Sequence, residues 1–386
     1  MEDFKGTYVS KLQSVGTTIF TVMSALAHEH RAINLSQGFP DFKVSGRLIS
    51  LVSKYMRKGF NQYAPMQGVP RLREVIAEKT RALYNASYDS ATEINITAGA
   101  TQAIYTCIAA LIRNDDDEVI IFEPAYDSYA PAVRLNGGMV KCAQMKLPDY
   151  RIDWKVVQKM ISARTRMIII NSPHNPTGSI LTADDLRTLD KITRNSDIVV
   201  LSDEVYEHLV YDGKRHESVC RYPSLAQRSF VVGSFGKTFH ATGWKIGFVL
   251  APGNLMTEFR KAHQFIVFTC NTAVQHALAE FLEDRNNYDH LPAFYQQKRD
   301  YFTNLVSNSR FRVVPSFGTY FQLLDYSRIT DEPEKDFAIR ITREFGVASI
   351  PVSAFYHTET NNGVLRFCFA KKEETLEKAA AILCRI

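Results

Sequence analysis

Seven short apolar runs constrain this chain more than any other feature: "EINIT" (93–97), "DEVIIF" (117–122), "GGMVKCAQM" (137–145), "RMIIIN" (166–171), "DIVVLSD" (197–203), "SFVVGSF" (229–235) and "IGFVLAP" (246–252). Helical patterns separate them, as in "QAIYTCIAALI", where apolar residues recur at helical spacing. β-Rich runs alternating with helices imply an α/β fold, a mostly parallel sheet covered on both faces. Right-handed crossovers then bring the strands' carboxyl ends to one edge, where open α/β sheets bind ligands.

The ends of the chain read differently. From about Asn286 the sequence turns helical and charged, then gives "RFRVVPSFGTYFQLLD" and "GVLRFCFA", which alternate like antiparallel strands. A smaller α+β unit is expected there, joined by the N-terminal segment. At 386 residues, two domains or one large α/β domain are the natural outcomes.

Composition excludes several classes. A net charge of +5, with no stripe of Lys and Arg, argues against nucleic acid as a partner. The six cysteines form no C-x-x-C pair, so zinc and redox motifs are not expected. "HEH" (28–30) lacks partners at metal-ligand spacing, and no metal is assigned. No stretch approaches the ~20 apolar residues of a membrane span. "MEDFKGTYVSKLQSVG" carries no apolar leader core, so a reduced, cytoplasmic setting is expected.

The strand ends carry the chemistry. "SFGKTFHATGWKIG" (234–247) suggests a phosphate loop through its "GKT", but Val231 stands where that motif needs its first glycine. Lys237 instead follows an apolar strand to the ligand edge. Most of the 46 lysines and arginines are ordinary surface residues. A desolvated lysine, however, deprotonates readily and can form a Schiff base. Asp203 ends "DIVVLSDEVY", either as a solvated strand end or as a partner for a ring nitrogen, with the Tyr206 phenol just beyond. "NITAGATQAIY" runs from strand to small residues to helix, so amides near Gly99 and Ala100 with the Thr101 hydroxyl make an anion site or a plain turn. Asn175 sits in the loop "SPHNPTG", and Tyr126 follows a strand in "EPAYDSY"; turn and packing roles compete for both. Together these groups ask for a phosphorylated aromatic aldehyde.

With "NLSQGFPDF" (34–42), "NQYAPMQGVPRLRE" (61–74), "PHNPTG" (173–178), "SDEVYEHL" (202–209) and "LRFCFAKK" (365–372), the chain resembles the class I pyridoxal-phosphate aminotransferases of fold type I over nearly its whole length. Within them it is most similar to the bacterial methionine aminotransferase branch, related to the kynurenine aminotransferases. The resemblance implies a seven-stranded large domain and a division into an N-terminal segment of the small domain (1–44), a cofactor-binding domain (45–285) and a C-terminal small domain (286–386). It also implies pyridoxal 5′-phosphate as cofactor. Lys237 would carry the Schiff base and move the proton, Asp203 would pair with the ring nitrogen, Asn175 and Tyr206 would bind the ring oxygen, and Tyr126 would stack on the ring. Gly99, Ala100, Thr101, Ser234 and Lys245 would hold the phosphate, joined by Tyr63 from a neighbouring subunit, which implies a homodimer with shared sites. Many members have arginine at Lys245; the kynurenine-type branch has "GWK", as here, a point charge in place of a fork.

For the substrate, the resemblance gives Gly38, Asn175 and Arg366 to the α-carboxylate, although alternation alone would leave Arg366 exposed on its strand. Phe20 is expected in the side-chain pocket, and Phe268 near an interface. An apolar or aromatic L-amino acid, methionine first, is the expected donor to a second 2-oxo acid. Kynurenine or aromatic transamination, or cysteine-conjugate β-lysis, is the alternative. A regulator with a helix-turn-helix domain is not expected, because "NLSQGFPDF" begins by residue 34.

Overall fold

The seven apolar runs form one sheet: β1 (Ile94–Thr97), β2 (Glu118–Glu123), β3 (Met139–Gln144), β4 (Thr165–Asn171), β5 (Val199–Asp203), β6 (Ser229–Ser234) and β7 (Gly247–Leu250). This is seen in a computed structural model, which describes residues 5–7, 9–13, 15–358 and 360–386. Residues 1–4, 8 and 14 of the expected N-terminal segment, and residue 359, lie outside the described residues. The strand order is β1-β7-β6-β5-β4-β2-β3. Strands β2 to β6 pair in parallel, and β7 runs antiparallel to both of its neighbours, β1 and β6. Apart from part-buried Val140 and Val199, their Val and Ile side chains are buried, which is why the inner runs are apolar without alternating.

Register brings the useful residues level. Asn171 at the end of β4 lies opposite Asp203 at the end of β5, and Asp203 lies opposite Val232 in β6. Beyond β6 the chain turns at once into the short helix Phe235–Thr238, which carries Lys237.

A second, antiparallel sheet holds β8 (Arg312–Val313), β9 (Phe321–Asp325), β10 (Ile350–Pro351) and β11 (Val364–Cys368), in the order β10-β11-β9-β8. Arg366 in β11 pairs with Leu323 of β9. The N-terminal segment reaches this region too, because Ile33–Asn34 pairs in parallel with Val347–Ala348. Among the described residues no helix is long and apolar enough to cross a membrane, and no group of three or more His, Cys, Asp and Glu is placed to hold a metal. The described cysteines are free thiols, and Cys107, Cys220, Cys270 and Cys368 are buried.

Candidate active site

Strand ends of the large sheet form the floor of the site. Asp203 is buried, and its Oδ2 accepts the Tyr129 hydroxyl at 2.6 Å while its Oδ1 accepts the Val205 amide at 3.3 Å. Burial pushes the carboxyl up to about 6, against the pull of the Tyr129 bond and the Lys237 charge. Asn171 ties two loops together: its side-chain amide donates to the Asp203 carbonyl at 2.9 Å, and its Oδ1 accepts the Asn175 amide at 2.8 Å.

Lys237 is partly buried, and its Nζ donates to Tyr320 Oη at 3.0 Å and to the Gly38 carbonyl at 3.4 Å. Burial lowers the amine to about 8, with Arg366 and Lys245 adding to the effect and Asp203 opposing it. Tyr206 is buried beside it, its ring edge-on to Tyr320 at 5.2 Å between centroids. Tyr126 follows β2, where burial raises its phenol and a bond to the Thr101 hydroxyl works the other way.

Gly99 precedes the helix Ala100–Leu111 at φ 79°, and no side chain caps that helix. Its first amides, at Ala100 and Thr101, therefore have no partner within the helix. A Cβ at Gly99 would stand 3.4 Å from Lys245 Nζ, so a cation overhangs the positive end of the helix dipole. Ser234 closes β6 beside this cradle: β6 pairs Ser234 with Gly247, and a Cβ at Gly247 would stand 3.1 Å from the Ala100 amide.

Arg366 comes from the small sheet and is only 1% exposed, which settles the two readings of its strand in favour of the interior. Nη1 donates to Asn175 Oδ1 and Nη2 to the Ser36 carbonyl, both at 2.8 Å, while Nε has no partner among the described residues. Phe321 lies 3.9 Å from its guanidinium carbon, Phe20 5.2 Å and Phe355 5.4 Å, each measured to the ring centroid. Burial lowers its pKa to about 10, so it stays charged at neutral pH. Gly38 is required by contact: a Cβ there would come within 2.7 Å of Phe321.

Tyr63 stands apart from this group. It is 81% exposed and packs edge-on to the exposed Phe268 at 5.3 Å. The two histidines near the motifs have local partners: His174 Nδ1 meets Thr177 Oγ1 at 2.7 Å, and His240 Nδ1 meets the Tyr295 hydroxyl at 2.9 Å. Burial drops His174 to about 3 and His240 to about 4, so both are neutral at pH 7.

Sequence reasoning missed Tyr129, Ser36 and Tyr320. Tyr129 lies three residues after Tyr126 in the same quoted motif, a signal that was present and unread. Ser36 acts through its carbonyl, which no side-chain pattern reveals. Tyr320 sits in a stretch read only as strand.

The family description "Aminotransferase class I and II" matches residues 30–383. The chain is 48% identical to the methionine aminotransferase of Escherichia coli (strain K12), with 96% of each chain covered. It is 31% identical to kynurenine–oxoglutarate transaminase 1 of Rattus norvegicus, with 95% of each covered. The crystal structure of YbdL from Escherichia coli, described as identifying a methionine aminotransferase function, matches with a TM-score of 0.96 at 47% identity, covering 98% of this chain and all of that one.

Proposed function

The chain belongs to the class I and II aminotransferase family, and from that membership we propose that it takes its amino group from an apolar or aromatic L-amino acid, methionine first, with pyridoxal 5′-phosphate as cofactor. As an aminotransferase it moves an amino group from an amino acid to a 2-oxo acid. The observation that carries the reading is that buried Asp203 and part-buried Lys237 at the carboxyl edge of the large sheet face buried Arg366 from the small sheet, with no ion pair among the three in the described residues.

The residues fit that cofactor. Pyridoxal 5′-phosphate supplies an aldehyde for the amino group and a ring that takes up the electron pair left on the α-carbon when its proton is removed. The uncapped start of Ala100–Leu111, with Lys245 above Gly99, suits a phosphate, and Thr101 and Ser234 would add hydroxyls. Asp203, held by Tyr129, would keep a ring nitrogen protonated. Asn175 and Tyr206 would bind the ring oxygen, and Tyr126 would pack on the ring. Lys237, already biased toward its neutral amine, would join the cofactor and, once the substrate's amino group has taken its place there, would take the proton from the substrate's α-carbon at its freed Nζ. Arg366 would clamp the substrate carboxylate beside Asn175 and Gly38; its free Nε marks it as a donor awaiting an acceptor.

Phe20, Phe321 and Phe355 around Arg366 support an apolar donor, and aromatic rings suit a polarisable thioether. A second reading, transamination of kynurenine or aromatic amino acids, is favoured by a neighbouring cavity of about 1140 Å³ bounded by Tyr126, Ile19 and Phe355. Arg134, which meets His357 at 3.3 Å, also lies on its wall. A panel of amino acids with 2-oxo acids, followed by the visible cofactor absorbance, separates the readings. Methionine should lead, phenylalanine and kynurenine should trail, and faster turnover of aspartate would overturn the apolar assignment and turn attention to Arg134.

We take the chain to divide near residues 44 and 285, and its partner to be a second copy. Tyr63, Phe265 and Phe268 are exposed aromatic groups on a surface that such a copy would cover. Sedimentation should give a dimer, and Tyr63→Phe should weaken cofactor retention about tenfold, the worth of one hydrogen bond to a charged group.

A further inference from the structure

The proposed reading assigns Lys237 its chemistry but leaves open what holds its amine. The groups facing Nζ come from every side. Asp203 and Tyr206 approach from the end of β5 and its loop, Lys245 from the turn before β7, Arg366 and Cys368 from β11, and Tyr320 from the residue before β9. Among the described residues, only Tyr320 Oη and the Gly38 carbonyl lie within hydrogen-bonding distance of it.

Tyr320 is fully buried and held from several directions. Its carbonyl accepts the Phe369 amide at 3.0 Å. The preceding Thr319 sits at φ 65°, and the Tyr211 hydroxyl donates to the Thr319 carbonyl. Tyr320 Oη donates its single proton to the Gly38 carbonyl at 2.5 Å, so toward Lys237 it presents only lone pairs. Lys237 is therefore the donor in the 3.0 Å contact. Donating toward these two oxygens turns the lone pair of a neutral amine away from them. Arg366 grips the Ser36 carbonyl, two residues before Gly38. One short segment thus connects the carboxylate clamp to the lysine.

We propose that Tyr320 is a positioning residue for Lys237, holding the freed amine by accepting its N–H and tying it through Gly38 to the segment that Arg366 grips. This rests on the reading of Lys237 as the cofactor's lysine. Tyr320→Phe keeps the ring and its packing and removes the hydroxyl, and with it the acceptor for Lys237, the bond to the Gly38 carbonyl and the contact with the Tyr206 hydroxyl.

The test is the pH dependence of Lys237 acylation in the full chain, read by peptide mass before and after addition of pyridoxal 5′-phosphate. Loss of an acceptor disfavours the ammonium form. In Tyr320→Phe without added cofactor, the labelling midpoint should therefore fall about one pH unit below that of the natural chain. The acid limb of the pH profile of kcat, where Lys237 must lose its proton, should move in the same direction, and kcat should drop about tenfold. Tyr295→Phe removes a buried hydroxyl that bonds His240 instead, and its midpoint should match the natural chain. An unchanged midpoint in Tyr320→Phe, or an equal shift in Tyr295→Phe, overturns the proposal. Failure of pyridoxal 5′-phosphate to protect Lys237 in the natural chain would instead overturn the cofactor reading, independently of the Tyr320 result.

Discussion

The two edges of the large sheet use the same residue types to opposite ends. At the amino edge, Glu118 and Asp117 start β2 or just precede it, both buried. Burial pushes each carboxyl up, but the partners win. Glu118 takes Lys141 at 2.8 Å and the Ser162 hydroxyl at 2.6 Å, and Asp117 takes the Arg113 amide at 2.8 Å and Arg166 at 2.9 Å. Both end below the usual carboxylate range. At the carboxyl edge, Asp203 has a hydroxyl and an amide but, among the described residues, no ion pair, and burial carries it up to about 6. A fold closes its charges where it needs only stability, and leaves them open where a ligand will complete them.

Lys237→Ala is the most severe way to break that contrast. It should cut turnover about 10⁴-fold and abolish the visible band of lysine-bound cofactor, while folding survives because a buried cation is removed rather than stranded. A retained band would move the covalent attachment elsewhere. Asp203→Asn should cost on the order of 10³-fold in kcat/KM. In the natural chain, cofactor affinity should also fall as pH drops through about 6, where Asp203 protonates, and the Asn variant should lack that dependence. Stability before cofactor addition should move the other way: a raised carboxyl is a cost above its ordinary pKa, and the cost is relieved as pH falls through about 6.

Arg366→Ala should leave the cofactor spectrum intact and raise KM for the amino acid on the order of 100-fold; an unchanged KM would sink the clamp. Glu118→Gln probes the opposite edge. It should leave kcat within about twofold while lowering stability by about 2 kcal/mol, less than a fully enclosed pair because Lys141 is part exposed. The sign with pH is also opposite to that of Asp203. Glu118 sits below its ordinary value, so its contribution is present above that value and lost as pH falls through the folded one.

Much of this was legible in the chain. Each of the seven runs became a strand, because the inner strands are buried on both faces and so must be apolar, and helices separate the parallel ones. Lys237, Asp203 and Asn175 were legible because each follows such a run, and the ligand edge is where strands end. Tyr129 and Tyr320 were not. Their roles depend on which oxygen their single hydroxyl proton meets, Asp203 for one and Gly38 for the other, and those partners lie 74 and 282 residues away. Arg366 was readable only by resemblance, because the alternation of its own strand pointed outward.

The sequence by itself determined the order of strands and helices, the edge on which the chemistry would gather and the residue types that gather there. These follow from local periodicity and from the handedness of the chain, which act over a few residues at a time. Only the tertiary structure decided which charges are balanced. Burial raises Asp203 and lowers Lys237, while salt bridges hold Glu118 and Asp117 down, and each outcome is a sum over neighbours from distant segments. Protonation is set by surroundings, and surroundings exist only once the chain has folded.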